Sequence, residues 1–423
     1  MSQERTVALH TLGCKLNYSE TSAIERLMEK DGFIKKDFTE KADVYLINTC
    51  SVTENADKEC RHLVRRIQRK APEAMVVIMG CYAQLKPKEI AEIPGVHLVL
   101  GASEKFNIIS HLKELTHGDS AKICSCEIED VQGFHSSFSL NNRTRTFLKV
   151  QDGCDYNCSF CTIPMARGKS RSNSTENVLA EITKIRDAGV KEIVLTGINL
   201  GDFGKDGNGI KTPENFYSLL QTIEEENGVD RYRISSIEPN LLTDEIIRFV
   251  AGSKKIMPHF HIPLQSGSNK ILGMMRRRYK RELYAEKVGA IKTLIPHCCI
   301  GVDVITGFPG ETDEDFNDTM NFLAELDISY LHVFTYSERP NTHALTIESV
   351  VPIQIRHERT KNLRSLSYKK MQDFTTQHTG QQRKVLFEGP DKNGLMDGYT
   401  DNYIKISVPY KEEWSNEIVD WKI

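Results

Sequence analysis

The 423-residue sequence contains no apolar run approaching the roughly 20 residues that span a membrane as a helix. Its opening residues, MSQERTVALHTLGC, show no basic segment leading into an apolar stretch, so no secretory signal is expected. There is no low-complexity tract and no repeat with a period of roughly 20–50 residues. Nor does either charge dominate: 55 Lys and Arg face 58 Asp and Glu, a net charge of −3. These absences argue against membrane residence, export and a global nucleic-acid footprint. The expected location is the cytoplasm.

What stands out is cysteine. The chain has 11, an odd number spread along its length. Reducing compartments keep such thiols free, which favours metal binding or catalysis over disulfides. Three basic runs, at 61–70, 167–171 and 274–282, each read on their own as a solvated helix face or loop.

Short apolar runs alternate with helical periodicity through the first part of the chain: TVALHTLG, VYLINTCSV, MVVIMGC and VHLVLGA read as strands. This pattern predicts an α/β domain with an open parallel sheet over residues 1–116. Residues 117–145 lose periodicity and read as a linker. A second series over 146–375 has six strands: TFLKVQDG, KEIVLTGIN, YRISSIEP, PHFHIPLQ, CCIGVDVITGFPG and DISYLHVFTYS. Six β/α units predict a partial (β/α)6 barrel whose working face lies at the strand C-termini. Residues 381–423 read as a small all-β module, with GYTDNYIKISVPY as one of its strands.

Cys154, Cys158 and Cys161 follow the first barrel strand with C-x3-C-x2-C spacing. Three thiolates can hold three corners of a [4Fe-4S] cube and leave one iron open. A zinc site with a distant fourth ligand also uses short Cys spacings. Cys14, Cys50 and Cys81 each close a strand of the first domain. Ligands of open parallel sheets bind at those ends, so the three thiols can converge on one metal centre. Buried packing thiols and zinc are the alternatives. Cys60, Cys124, Cys126, Cys298 and Cys299 read as packing residues.

The spacing CDYNCSFC resembles the radical S-adenosylmethionine (SAM) superfamily. With TLGCKLNYSE, NTCSVTENADKECR and FTYSERPNTHA, the whole chain resembles the methylthiotransferases. That resemblance implies two [4Fe-4S] clusters, one SAM-binding and one auxiliary, and a C-terminal TRAM-like module. By the same resemblance Phe160 lies against the SAM adenine, while Gly197 and Asn199 stand where the methionine amino group binds. Here the Gly197-Ile198-Asn199 stretch departs from the family's Gly-Gly-Glu-like pattern. Glu238, Gln265 and the Gly307-Phe308-Pro309-Gly310 turn sit at later strand ends of the same SAM site.

The implied reaction places a methylthio group on carbon 2 of N6-threonylcarbamoyladenosine beside the tRNA anticodon. One SAM donates a methyl group to sulfur, and another is cleaved reductively to a radical. Isopentenyl-modified adenosine or a ribosomal-protein aspartate is the nearer rival substrate, told apart only by loops such as GCKLN and SVTEN. A non-enzymatic iron–sulfur electron carrier and a zinc-stabilised RNA-binding module are rivals of other classes. Arg167, Lys169, Arg171 and the Arg276–Arg278 run, Arg277 among them, are candidates for phosphate or carboxylate contacts. In the C-terminal module Arg383, Lys384, Tyr399, Tyr403 and Lys405 are candidates for RNA contact, against simple packing for the tyrosines. A monomer is expected, working with the tRNA anticodon loop and a low-potential reductant such as flavodoxin or ferredoxin.

Overall fold

The structure is a computed structural model that describes residues 5–51, 54–115, 120–140, 144–391 and 393–423, with side chains of the helix Glu54–Lys70 described from Ala56 onward. Most of the SVTEN loop, and residues 116–119 and 141–143 of the expected linker, lie outside these.

The first sheet comprises β1 (Thr6–Thr11), β2 (Ile34–Lys36), β3 (Val44–Thr49), β4 (Met75–Gly80), β5 (Leu98–Leu100) and β6 (Lys122–Cys124). All six run parallel, in the order β2-β1-β3-β4-β5-β6. Every residue of β3 and β4 is buried, as expected for central strands covered on both faces. The sequence pattern missed β2 and β6. Both are three-residue edge strands, too short to show periodicity. Because β2 lies outside β1, the three strands that lead into Cys14, Cys50 and Cys81 remain neighbours.

The segment read as a linker is not one in the structure: β6 extends the first sheet, and β7 (Ser137–Phe138) pairs antiparallel with β8 (Arg145–Lys149). Beyond it, β9 (Gln151–Asp152) and β10 (Arg171–Ser172) pair as a short ribbon. The barrel continues with β11 (Glu192–Thr196), β12 (Arg231–Ile234), β13 (His259–His261), β14 (Cys299–Thr306) and β15 (Tyr330–Thr335). β8, β11 and β12 form one parallel set, and β13, β14 and β15 another. Parallel bridges Tyr232–Ile256 and Ser236–His261 join the two, giving six parallel strands in sequence order.

The helix Ile353–Gln377 packs on β15 and leads to an antiparallel sheet of β16 (Gln382–Pro390), β17 (Leu395–Thr400), β18 (Lys405–Pro409) and β19 (Ile418–Lys422). GYTDNYIKISVPY, expected as one strand, splits into β17 and β18. Asp401-Asn402 supplies turn chemistry, and Tyr403 takes the left-handed conformation at φ 69°. This sheet closes the barrel floor. Arg231 donates to the carbonyls of Lys384 and Tyr399, and Arg233 to those of Thr400 and Asp401. Tyr403 lies 4.4 Å from the His259 ring.

One charged cluster fixes the first domain to the barrel. The helix Lys15–Lys30 carries Glu20, which has no exposure to solvent. Its carboxylate meets Arg167 at 3.1 Å, Lys149 at 3.1 Å and Lys105 at 2.7 Å. Asp152 meets Arg167 at 2.9 Å and Lys149 at 3.3 Å. Arg167 also donates to Asn17 Oδ1 at 2.6 Å. Burial alone would raise both carboxyls, but Arg167 and the lysines outweigh it and hold both far below the usual range. A carboxylate depressed in this way stabilises the fold above its unfolded pKa of about 4 and ceases to do so as acid protonates it.

Removing one partner of such a buried set leaves uncompensated charge, at a cost of about 3–5 kcal/mol. Arg167→Met is therefore expected to lose that much stability in denaturant unfolding, and the wild type to weaken as pH falls below about 4. Lys169→Met, at an exposed neighbour, should stay within about 0.5 kcal/mol.

Candidate cluster and cofactor site

The cysteine loop between β9 and the helix Ile163–Arg167 presents three sulfurs, each met by a donor. The backbone N–H of Tyr156 donates to Cys154 Sγ at 3.4 Å, and that of Ile163 to Cys161 Sγ at 3.4 Å. Arg277 Nη1 donates to Cys158 Sγ at 3.0 Å. Donors aimed at sulfur suit thiolate ligands. Burial pushes the Cys154 and Cys161 thiols up to about 12 and raises Cys158, so without a nearby positive charge they stay protonated.

In the first domain Gly13 turns at φ +103°, and a Cβ there would lie 2.5 Å from Cys50 Cβ and 2.9 Å from Cys50 Sγ. The glycine thus lets the Cys14 loop lie directly over Cys50. Cys81 opens the helix Cys81–Leu85, and its sulfur lies within electrostatic reach of Cys14 and of the Arg167 guanidinium. Neither trio draws its three sulfurs within 4.8 Å of one another, and among the described residues only His261, Asp303 and His332 close to that limit.

The two trios adjoin. The helix that begins at Cys81 packs against the helix that follows Cys161. Thr162 Oγ1 reaches the Ser51 carbonyl at 3.4 Å, one residue after Cys50. From the end of the barrel, Arg339 donates to Ser51 Oγ at 2.6 Å and Asp57 at 2.9 Å.

Two cavities open beside them. One, of about 290 Å³, is lined by Phe160, Cys161, Gln265, Asp303, Ile305 and Tyr336 among others. Phe160 packs edge-on to Phe308, which packs in turn on Tyr336. Phe308 is fully buried, and Pro309 is also buried, so these two build the wall behind Phe160. Gly307 and Gly310 both have positive φ, and a Cβ on either would collide with Arg356 or Met274. Gln265 holds φ 72° while its backbone bonds Asp303 and Ile305. Gln151 Oε1 already accepts from the Ile198 and Asn199 N–H groups, and it fills the space beside Gly197. Asn199 Oδ1 accepts from the Glu238 N–H, while its Nδ2 is buried without a partner among the described residues. Glu238 pairs with Arg277; burial outweighs that contact and raises its carboxyl.

The second cavity, of about 370 Å³, runs from Cys14 and Lys15 into the barrel between Phe147, Val194, Arg233 and His259, with Tyr403 at its floor. Nearby, His261 meets Asp303 at 2.9 Å. Burial would raise Asp303, but His261 and His332 keep it below the usual range.

Several basic candidates face inward instead of toward RNA. Arg167 belongs to the domain-fixing cluster. Arg171 is 7% exposed and donates to the Arg167 and Lys169 carbonyls. Arg277 is committed to Cys158 and Glu238, and Tyr399 lies under the Arg145 guanidinium at 4.2 Å. Lys169, Arg276, Arg278, Lys384 and Lys405 are exposed, with Lys405 paired to Asp397 at 2.8 Å. Cys60, Cys298 and Cys299 are buried away from both trios in the hydrophobic packing, and Cys124 and Cys126 are half-buried. The polar lumen was missed because the strands were read for apolar runs. Charged residues on one strand face, Arg145 and Lys149 four apart in β8 and Arg231 and Arg233 two apart in β12, were its signal.

Residues 6–101 match a family described as uncharacterized protein family UPF0004, and residues 148–323 match the radical SAM superfamily. The chain is 40% identical to the threonylcarbamoyladenosine tRNA methylthiotransferase MtaB of Bacillus subtilis, covering 99% of this chain and 93% of that protein. It is 38% identical to the Aquifex aeolicus protein of the same name, covering 96% and 97%. A Clostridium botulinum tRNA-2-methylthio-N(6)-dimethylallyladenosine synthase is 32% identical, covering 91% and 86%. Among solved structures, the radical SAM methyltransferase TsrM of Kitasatospora setae shares the fold, with TM-score 0.59 and 16% identity over 81% of this chain and 77% of that one.

Were Cys158 to ligate an iron–sulfur centre, Arg277 would tune it through its 3.0 Å hydrogen bond to that sulfur. A hydrogen bond to a ligating sulfur favours the more negative, reduced state. Arg277→Leu should lower the midpoint potential of that centre in an EPR-monitored titration. Arg278→Leu, which removes a more distant charge without a bond to the sulfur, should lower it less.

Proposed function

The chain belongs to the radical SAM tRNA methylthiotransferases, and on that premise we propose that it adds a methylthio group to carbon 2 of N6-threonylcarbamoyladenosine beside the tRNA anticodon. The observation that carries this reading is the direct packing of the Cys81 helix on the Cys161 helix. It sets two three-cysteine sites side by side, in a chain similar to the threonylcarbamoyladenosine enzymes over nearly its whole length.

The radical SAM site uses an iron–sulfur cluster and SAM; Cys154, Cys158 and Cys161 are proposed to hold that cluster, and Cys14, Cys50 and Cys81 an auxiliary one. When bound, these groups supply electron transfer, methyl transfer and sulfur. The residues of the chain bind and orient. Tyr156, Ile163 and Arg277 donate to the barrel sulfurs, and Arg167 places a buried cation beside Cys14 and Cys81. Phe160, backed by Phe308, offers an aromatic edge for the SAM adenine. Asn199 Nδ2 and Glu238 provide a donor and an acceptor nearby. Gln265 lines the cavity beside Phe160, while Gly197, Gly307 and Gly310 stand where a side chain would collide with Gln151, Arg356 and Met274 respectively. A base turned out of the anticodon loop would enter between the trios. Holding the reactants in one orientation is the protein's main contribution to rate.

Lys169, Arg276, Lys384 and Lys405 are the exposed cations proposed to meet tRNA phosphates, with the C-terminal sheet acting as a TRAM-like module. The enzyme is proposed to work as a cytoplasmic monomer supplied with electrons by flavodoxin or ferredoxin. Among the described residues no helix is long and apolar enough to cross a membrane.

Anaerobically reconstituted protein should carry about eight irons per chain, and about four after replacement of Cys154, Cys158 and Cys161 by Ala. Nucleoside mass spectrometry of tRNA from a deletion strain should show loss of the methylthio group from threonylcarbamoyladenosine. A profile that instead loses it from the isopentenyl nucleoside would move the enzyme to the rival substrate.

A further inference from the structure

We propose that Lys15 and Arg145 form the receptor for the carboxylate of the substrate's threonyl group, so that the second cavity selects an anionic N6-substituent. This inference rests on the substrate reading above and adds the residues that enforce it.

The threonylcarbamoyl group is a threonine joined through its nitrogen to a urea, and its carboxylate stays free and ionised. A site for it must place fixed cations beside the cavity that also reaches the auxiliary cysteines. The cavity behind Cys14 does so. Lys15 follows Cys14 directly and lines the same wall as Tyr18, Arg145, Phe147 and Arg233. Its Nζ stands 6.0 Å from the Phe147 ring centroid and has neither a hydrogen-bond acceptor nor an ion-pair partner among the described residues.

Arg145 opens β8, and its guanidinium lies over the Tyr399 ring. Nε and Nη2 grip Glu388 at 3.1 and 2.9 Å, while Nη1 has no protein partner among the described residues. The other charged groups at the wall are already satisfied. Arg233 is held by Glu192 through Nε at 2.8 Å and Nη2 at 3.1 Å, and its remaining N–H groups serve carbonyls of the C-terminal module. Asp303, facing Lys15 from β14, is paired with His261. The cavity therefore presents a Lys15 amine with no hydrogen-bond acceptor among the described residues and a half-engaged Arg145 guanidinium, over aromatic walls.

An isopentenyl group entering the same space would bury Lys15 against hydrocarbon with nothing to accept its protons, which is costly. A carboxylate would accept from Lys15 Nζ and Arg145 Nη1 together, and charge-assisted bonds of this kind are the strong ones. Sites built to hydrogen-bond a polar group also reject analogues that lack it, because their own groups are left unpaired.

The test compares two synthetic anticodon hairpins. One carries N6-threonylcarbamoyladenosine and the other its threonine amide, which has the same shape but no charge. Binding is measured to the full-length, cluster-loaded enzyme. Wild type should bind the carboxylate roughly 10- to 100-fold more tightly than the amide. Lys15→Met should bind both alike, and Arg145→Gln should narrow the ratio. K15M should keep the wild-type affinity for the amide hairpin and lose only the gain from the carboxylate, whereas loss of fold or cluster would weaken both. Equal binding of both hairpins by wild type, or a ratio unchanged in K15M, overturns the proposal. Failure of the underlying substrate reading would show separately, as a carboxylate hairpin that wild type binds but never methylthiolates.

Discussion

Arg167 crosses from the barrel to a carboxylate, Glu20, that has no access to water. The rest of the site depends on this contact. Arg167 ends the helix that follows Cys161, and Glu20 lies on the helix that follows Cys14. Tying them together fixes the distance between two cysteine sites built on different sheets. Lys149 from β8 and Lys105 from the first domain close on the same carboxylate, so the joint cannot slide without exposing unpaired charge. Interfaces between domains are usually polar and permissive of motion; a buried five-membered ion cluster makes this one stiff. Precise placement of two distant reactants calls for such stiffness.

The C-terminal sheet contributes in a different way. It donates carbonyls to Arg231 and Arg233 and lays Tyr403 under His259. A (β/α) barrel normally fills its lumen with side chains, whereas here Tyr403 forms the floor of an open cavity. The tyrosines considered as RNA-stacking platforms are spent on this closure. The exposed cations of that module include Lys384 and Lys405.

The elements legible in the sequence were those with strong local signals. All six barrel strands and the four longest-patterned strands of the first sheet are apolar runs of definite period, and the six cysteines stand at their ends. Edge strands of two or three residues, β2, β6 and β7, have no period to read. A basic residue carries no label for inside or outside. Arg167, Arg171 and Arg277 read as phosphate contacts, yet each is turned inward: Arg167 by Glu20 of the first domain, Arg277 by Cys158 and Glu238 from distant loops, and Arg171 by nearby carbonyls and Asp152. Lys15 and Arg145 were passed over because one sits in a cysteine loop and the other opens a strand. Only the tertiary fold brings them to one wall.

Charge balance within the buried cluster bears on what belongs beside it. Two carboxylates, Glu20 and Asp152, face Arg167, Lys149 and Lys105, with Arg171 at 3.6 Å from Asp152. Cations outnumber anions in a region with almost no water, which would be unfavourable if the set were complete. Arg167 lies within electrostatic reach of Cys14 and Cys81. Three thiolates at that position would supply the missing negative charge, and the surplus of buried cations would in turn favour their ionised form. The same residues that hold the domains together thus make the first cysteine trio a favourable seat for an anionic cluster, which links the stability of the joint to the occupancy of the site.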